Sequence, residues 1–174
     1  GGLRPGVARR PLRAVRYLTA TWSDQEPRET ATTVWFWGVE VMARVLVVDD
    51  EPDILLLHRL NLEAAGHEVL LAADGMRALE RIAADAPDAV VLDVMMPVLD
   101  GWGVLDRLAS MSLSPPVLVV SAKSARDDIA RAITSGAADY LAKPFNPDAL
   151  LLSLNRLLNS SDADREARRQ ELLR

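Results

Sequence analysis

Residues 45–50 read Val-Leu-Val-Val-Asp-Asp, a run of four apolar residues that ends in two carboxylates. An unbroken β-branched and apolar run is typical of a strand that is covered on both faces of a sheet. Residues 89–92 read Ala-Val-Val-Leu and are followed by Asp93, so the same pattern occurs a second time. Buried strands that end in acidic side chains predict a parallel sheet with an acidic edge.

Strand and helix patterns alternate outward from these two runs, from residue 43 to residue 160. Pro52 suits the first turn of a helix and Gly66 suits its end. Five strand–helix units with right-handed crossovers predict an α/β fold, a doubly wound five-stranded parallel sheet with helices on both faces. The predicted strands are 45–48, 68–71, 89–92, 117–120 and 139–142, and the predicted helices are 52–65, 75–84, 101–108, 127–135 and 147–158.

The composition excludes several classes of function. The chain has 174 residues, no cysteine and a formal net charge of −5. We therefore expect no disulfide or thiolate chemistry and no direct nucleic-acid binding by this chain. No apolar run approaches the roughly 20 residues that cross a bilayer, so we expect no membrane partner and a cytoplasmic protein.

Residues 1–41 differ from the remainder of the chain. They carry six Arg and four Asp or Glu, a balance of +2, whereas residues 42–161 have a balance of −7. An Arg-rich start can resemble a targeting peptide, but residues 34–39 are too short for a secretory apolar core and no small-residue cleavage site is evident. The favoured interpretation is that Met42 is the natural start and that residues 1–41 are an extension outside the natural protein. We expect little stable structure in this segment, one domain over residues 42–160, and a polar helical tail or the start of a linker over residues 161–174.

Polar side chains follow four of the predicted strands, namely Asp49 and Asp50, Asp93, Ser121, and Lys143. The carboxyl ends of parallel strands meet at one edge of a sheet, so these side chains are expected to lie together. Grouped carboxylates repel one another unless a cation compensates, and oxygen ligands select a hard ion such as Mg²⁺. A carboxylate can also be a nucleophile for a phosphoryl group. Singly, each side chain could be a helix cap or a solvated charge, but together they predict a phosphoryl-transfer site centred on Asp93.

Four stretches of the chain resemble the receiver domain of response regulators in two-component signalling. They are residues 45–52 (VLVVDDEP), 90–97 (VVLDVMMP) with the following Asp100-Gly101, 119–122 (VVSA) and 136–145 (GAADYLAKPF). The resemblance extends over residues 43–160. It implies a flavodoxin-like fold with the strand order 2-1-3-4-5.

The resemblance also implies roles for the residues at the acidic edge. Asp93 would accept a phosphoryl group from a histidine kinase or a histidine phosphotransfer protein. Asp50 and Asp93 would bind Mg²⁺ directly, Asp49 would bind it through water, and the backbone carbonyl of Met95 would complete the protein ligands. Lys143 would pair with the acceptor carboxylate and then with the phosphoryl group.

Ser121 and Tyr140 would form the switch of such a domain. Ser121 would move to hydrogen-bond a phosphoryl oxygen, and Tyr140 would turn into the vacated space. The surface around helix four, strand five and helix five would then change and control a downstream effector or output domain. The Lys143–Pro144 bond is expected to be cis. The resemblance thus implies a signalling module rather than an enzyme.

Three positions depart from one subfamily of these regulators. Regulators with winged-helix output domains commonly have acids where Ala138 and Ala149 stand and a base where Ser153 stands, and these charges pair across a symmetric dimer. The symmetric dimer is therefore not expected here, and a phosphorylation-dependent dimer is left as an open alternative.

Two other functions compete with the phosphoacceptor module. An aspartate-nucleophile phosphohydrolase would need a second carboxylate two residues after Asp93, where Met95 stands. A phosphate-independent interaction module would lack one or more of Asp50, Asp93 and Lys143, and all three are present.

Two local features complete the predictions. His58 is expected on a solvated helix surface. Residues 162–173 suit a polar helix that extends the preceding helix or begins a linker, in which Asp164 and Arg168 are spaced for an i,i+4 ion pair.

Overall fold

Five parallel strands form the centre of the structure, a computed structural model that describes residues 42–111 and 114–174. The strands pair in the order β2-β1-β3-β4-β5, and every pairing is parallel. The predicted doubly wound fold and strand order are therefore confirmed. The strands are β1 (Arg44–Val48), β2 (Glu68–Ala72), β3 (Ala89–Asp93), β4 (Val117–Ser121) and β5 (Asp139–Ala142).

Helices cover both faces of the sheet. They are α1 (Pro52–Ala64), α2 (Gly75–Asp85), α3 (Gly101–Ala109), α4 (Arg126–Thr134), α5 (Pro147–Asn159) and α6 (Asp162–Leu172). No predicted boundary within the sheet or α1–α5 differs from the structure by more than one residue. No helix in the described part of the chain has the length and apolar character that a membrane span requires.

The core lies in two layers, one on each face of the sheet. Val45 and Val47 pack with α1 and α5, whereas Leu46 and Val48 pack with α2, α3 and α4. Successive strand residues point to opposite faces, and here both faces are covered. This double burial explains why the strands read as unbroken apolar runs.

Side-chain caps fix where several helices begin. Asp74, Asp100 and Asn146 each accept a hydrogen bond of 2.8 Å from the backbone N–H three residues further on. These bonds satisfy amide groups that have no partner within the helix. The caps at Asp100 and Asn146 begin α3 and α5, the helices that follow the loops after Asp93 and Lys143.

The prediction of a solvated His58 is wrong. Leu55, His58 and Leu62 are the buried residues of α1, and His58 is 5% exposed. Their spacing of three and four residues places them on one face of the helix. The apolar residues Leu56 and Leu60 lie on the exposed side instead.

The C-terminal residues form a separate helix rather than an extension of α5. The Ser161 hydroxyl accepts the N–H of Asp164, and the Asp164 carboxylate accepts the N–H of Ser161, so a reciprocal cap begins α6. This cap occupies Asp164. The predicted Asp164–Arg168 pair is therefore replaced by ion pairs from Arg168 to Asp139 and Glu171.

The predicted extension, residues 1–41, lies outside the described residues. The predicted domain boundaries consequently stay predictions.

Candidate functional site

The carboxyl ends of β1, β3 and β5 bring Asp49, Asp93 and Lys143 together. The Lys143 ammonium donates to Asp93 Oδ1 at 2.8 Å and to Asp49 Oδ2 at 3.0 Å. Asp49 is 1% exposed and Asp93 is 4% exposed. A buried carboxylate is tolerated when charge and hydrogen bonds compensate it, and Lys143 supplies both to each of them.

Backbone amides hold the second oxygen of each buried carboxylate. Asp49 Oδ1 accepts the N–H of Glu51 at 3.0 Å, and Asp93 Oδ2 accepts the N–H of Met95 at 2.6 Å. These contacts orient both side chains toward the sheet edge, and each oxygen retains a lone pair for a further ligand. Asp50, the other predicted carboxylate, is exposed to solvent.

The two carboxylates determine the charge state of Lys143. Burial by itself lowers the pKa of its ammonium, but the hydrogen bonds and negative charges of Asp93 and Asp49 outweigh burial and raise the pKa above its ordinary value. Lys143 therefore carries a positive charge at neutral pH. The three predicted carboxylates and this ammonium have a formal charge of −2 together.

This donor set is compatible with a hard divalent cation. Two uncompensated negative charges and exclusively oxygen donors are what Mg²⁺ prefers. Within residues 42–111 and 114–174, no group of three or more His, Cys, Asp or Glu side chains is arranged to hold a metal by itself. The predicted Mg²⁺ ligands do not require such a group of three side chains. They are the carboxylates of Asp50 and Asp93, the backbone carbonyl of Met95, and water.

The two predicted switch residues meet at the backbone of Lys123. Ser121 is fully buried at the end of β4, and its hydroxyl accepts the Lys123 N–H at 3.1 Å. The Tyr140 hydroxyl donates to the Lys123 carbonyl. Burial raises the pKa of Tyr140, so its phenol remains protonated and able to donate this hydrogen bond. The loop after β4 thus connects β5 with the end of β4.

Two features of this region are absent from the predictions made from sequence. Lys123 acts through its backbone, so its side-chain identity gives no signal. His58 stacks on Phe145, with ring centroids 5.7 Å apart, next to the cis Lys143–Pro144 bond. The cis bond is the isomer that the resemblance implies. The position of His58 between Leu55 and Leu62 is a periodic signal that could have revealed its burial.

The sequence profile of the response regulator receiver domain matches residues 45–155. This chain belongs to the receiver domain family. Family membership places it among the components of two-component signal transduction. The strand order β2-β1-β3-β4-β5 and the contact between Asp93 and Lys143 are consistent with membership of this family.

Curated relatives of this receiver domain are named as regulators. The alkaline phosphatase synthesis transcriptional regulatory protein PhoP of Bacillus subtilis is 40% identical over 119 residues, which cover 68% of this chain and 50% of PhoP. The transcriptional regulatory protein PrrA of Mycobacterium tuberculosis is 45% identical over 115 residues, or 66% of this chain and 49% of PrrA. The chain therefore matches about half the length of these curated relatives.

Solved receiver structures cover the same region. The chemotaxis response regulator CheY4 of Vibrio cholerae has a TM-score of 0.64 and 35% identity over 68% of this chain and 100% of CheY4. The beryllofluoride-activated DrrB receiver domain has a TM-score of 0.62 and 30% identity over 69% of this chain and 100% of that domain.

Proposed function

We propose that this receiver domain accepts a phosphoryl group on Asp93 from a histidine kinase or a histidine phosphotransfer protein. The observation that carries the proposal is the contact of a charged Lys143 with the buried Asp93 carboxylate at 2.8 Å. An Asp93 oxygen attacks phosphorus, and the phosphorus–nitrogen bond of phosphohistidine breaks. The electron pair leaves with the imidazole nitrogen, which takes a proton from solvent.

The neighbouring residues support this transfer electrostatically. Lys143 moves from pairing with the carboxylate to pairing with the phosphoryl oxygens, and the Ser121 hydroxyl donates to one of them. Asp50, Asp93 and the Met95 backbone carbonyl would hold Mg²⁺, with Asp49 bound through water. When bound, the ion neutralises charge on the phosphoryl oxygens.

The product is a signal rather than a released compound. Position 95, where a hydrolase would hold a second carboxylate, is Met95, whose thioether transfers no proton. Ser121 and Tyr140 share the Lys123 backbone, so a movement of Ser121 toward the phosphoryl group affects Tyr140. The altered surface of α4, β5 and α5 then controls a downstream effector or output domain, in keeping with the regulator names of the relatives.

The test is phosphoryl incorporation from acetyl phosphate, with and without Mg²⁺, measured promptly by intact mass. We expect a Mg²⁺-dependent gain of about 80 Da, the mass of one phosphoryl group. Asp93→Asn abolishes the gain because an amide is not a nucleophile. The matched control Asp106→Asn, which changes an exposed acid on α3, retains it.

Other outcomes favour the competing functions. No incorporation into the wild-type protein would favour a phosphate-independent interaction module. Rapid, repeated release of phosphate would favour a phosphohydrolase. Incorporation that persists in Asp93→Asn would assign the acceptor to another residue.

A further inference from the structure

Helix α6 packs against α4 and β5 through polar and apolar contacts. Arg168 Nε donates to Asp139 Oδ1 at 3.0 Å, and Arg169 Nη2 donates to the Ile133 carbonyl at 3.0 Å. Leu172 packs against the core cluster on the α2–α4 side of the sheet. The helix therefore covers a defined face, which we call the α4–β5 face and which includes Ile133 of α4 and Asp139 of β5.

Asp139 gives this face a carboxylate that pairs with arginine. With α6 in place Asp139 is 2% exposed, and a buried carboxylate without a cation is strongly unfavourable. Arg168 is the nearer of two arginine partners, since Arg156 Nη1 lies 3.7 Å from Asp139 Oδ2. The backbone N–H of Tyr140 donates to Oδ1 at 2.9 Å. The same oxygen that binds α6 is thus bonded to the switch residue.

Hydrogen bonds, linked through the covalent structure of Lys123 and Tyr140, connect Ser121 with Asp139 on this face. The Ser121 hydroxyl accepts from the Lys123 amide, and the Lys123 carbonyl accepts from the Tyr140 hydroxyl. The backbone N–H of Tyr140 and the Nε of Arg168 both donate to Oδ1 of Asp139. When the Ser121 hydroxyl turns to a phosphoryl oxygen, it no longer orients the Lys123 amide as before. A displacement of the Lys123 amide would also shift the Lys123 carbonyl that accepts the Tyr140 hydroxyl.

We propose that the α4–β5 face is a binding surface for an arginine-bearing helix, that α6 occupies it within the same chain, and that phosphorylation of Asp93 weakens this docking. The proposal rests on the proposed phosphoacceptor function and adds the occupant of its output surface. Because coupling between two sites is reciprocal, weaker docking of α6 also strengthens binding of a phosphoryl analogue.

Hydrogen exchange of the α6 amides in the full chain tests the coupling, with and without beryllofluoride and Mg²⁺. For wild type we expect beryllofluoride to speed exchange of residues 163–172 about fivefold or more, the lower range of ordinary allosteric couplings. In Arg168→Gln the exchange is fast in both conditions, and beryllofluoride binds at a lower concentration. The matched control Arg165→Gln removes the same charge from α6, but its partners lie within residues 160–162, so the response is retained.

The isosteric variant Asp139→Asn removes the charge of the other partner in the Arg168–Asp139 contact. Its α6 amides should exchange as fast as those of Arg168→Gln. If acetyl phosphate labels Asp93 and beryllofluoride leaves the α6 exchange unchanged, the coupling is wrong and the phosphoacceptor function stands. If Asp93 is not labelled and beryllofluoride does not bind, the phosphoacceptor function and its coupling to α6 are both wrong. An equal loss of response in Arg165→Gln and Arg168→Gln would overturn the role of the Arg168–Asp139 contact.

Discussion

His58 presents a titratable ring to the apolar side of α1. Its ring stacks on Phe145, and its Nε2 is buried without a hydrogen-bond partner within the described residues. Burial lowers the pKa of His58, the charge of Asp49 raises it, and the charge of Lys143 lowers it, with a net decrease. The neutral ring is therefore the form that the folded protein favours.

This burial predicts a specific acid sensitivity. Below the ordinary histidine pKa of about 6.5, the unfolded chain binds a proton at His58 more readily than the folded protein does. The stabilisation from neutral His58 is present above that pH and is lost as the pH falls below it. Between pH 7 and pH 5, His58→Leu should therefore lose less free energy of unfolding than the wild-type protein does, as measured by urea denaturation.

A second variant separates titration from packing. His58→Gln does not titrate and adds no apolar surface, so it should show the same shallower dependence on pH at a lower overall stability. Parallel curves for wild type and both variants would show that another group causes the acid sensitivity.

Sequence patterns predict the side chains that act directly at the site but not the groups whose role depends on their surroundings. Asp49, Asp93 and Lys143 follow predicted strands, and the parallel sheet brings them into contact. The Lys123 contribution comes from backbone atoms that every residue possesses. The spacing of His58 from Leu55 and Leu62 matches the buried face of α1, but the exposed leucines at positions 56, 57 and 60 give the helix a second apolar stripe, so the pattern alone does not decide between the two.

At the scale of elements, the loop between β3 and α3 contains a strained residue. Val98 has a φ of 69° and is 88% exposed. A β-branched side chain in this left-handed region costs roughly 1–2 kcal/mol. No burial of the Val98 side chain compensates for that cost. The strain lies five residues after Asp93, within the loop that leads to the Asp100 cap.

Replacing Val98 by a residue that tolerates the left-handed region should stabilise the protein. Val98→Asn is expected to raise the free energy of unfolding by about 1 kcal/mol, measured by urea denaturation. The matched control Val98→Thr is polar but remains β-branched, so it should give little or no gain. An equal gain in both variants would show that surface polarity, rather than backbone strain, is responsible.

Element prediction from the sequence succeeds where the hydrophobic periodicity is clear and fails where tertiary contacts decide. All five strands and α1–α5 have a clear periodicity, α2, α3 and α5 also have side-chain caps, and the predicted boundaries of these elements agree with the structure to within one residue. The polar pattern of residues 162–173 indicated a helix but not its direction or partners. Those depend on the Ser161 cap and on the buried Asp139, which is distant in sequence.

The face formed by α4, β5 and α5 is poorly suited to pair with a copy of itself. Ala138, Ala149 and Ser153 carry no charge. Asp139 is already neutralised within the chain by Arg168 of α6, which also covers part of the face. A symmetric interface needs self-complementary contacts, and here the charged contact is satisfied internally.

We therefore expect the full chain to remain a monomer when beryllofluoride and Mg²⁺ occupy the Asp93 site, as measured by light scattering. Release of α6 exposes the Asp139 carboxylate, which repels the same carboxylate of a second copy and attracts a partner that supplies an arginine. Arg168→Gln exposes this face without phosphorylation and should also remain monomeric. A doubled molar mass that appears with beryllofluoride in wild type and is absent in Arg168→Gln would instead indicate that two chains exchange their α6 helices. In that case Arg168 would bind Asp139 of the second copy, and the output would be a dimer.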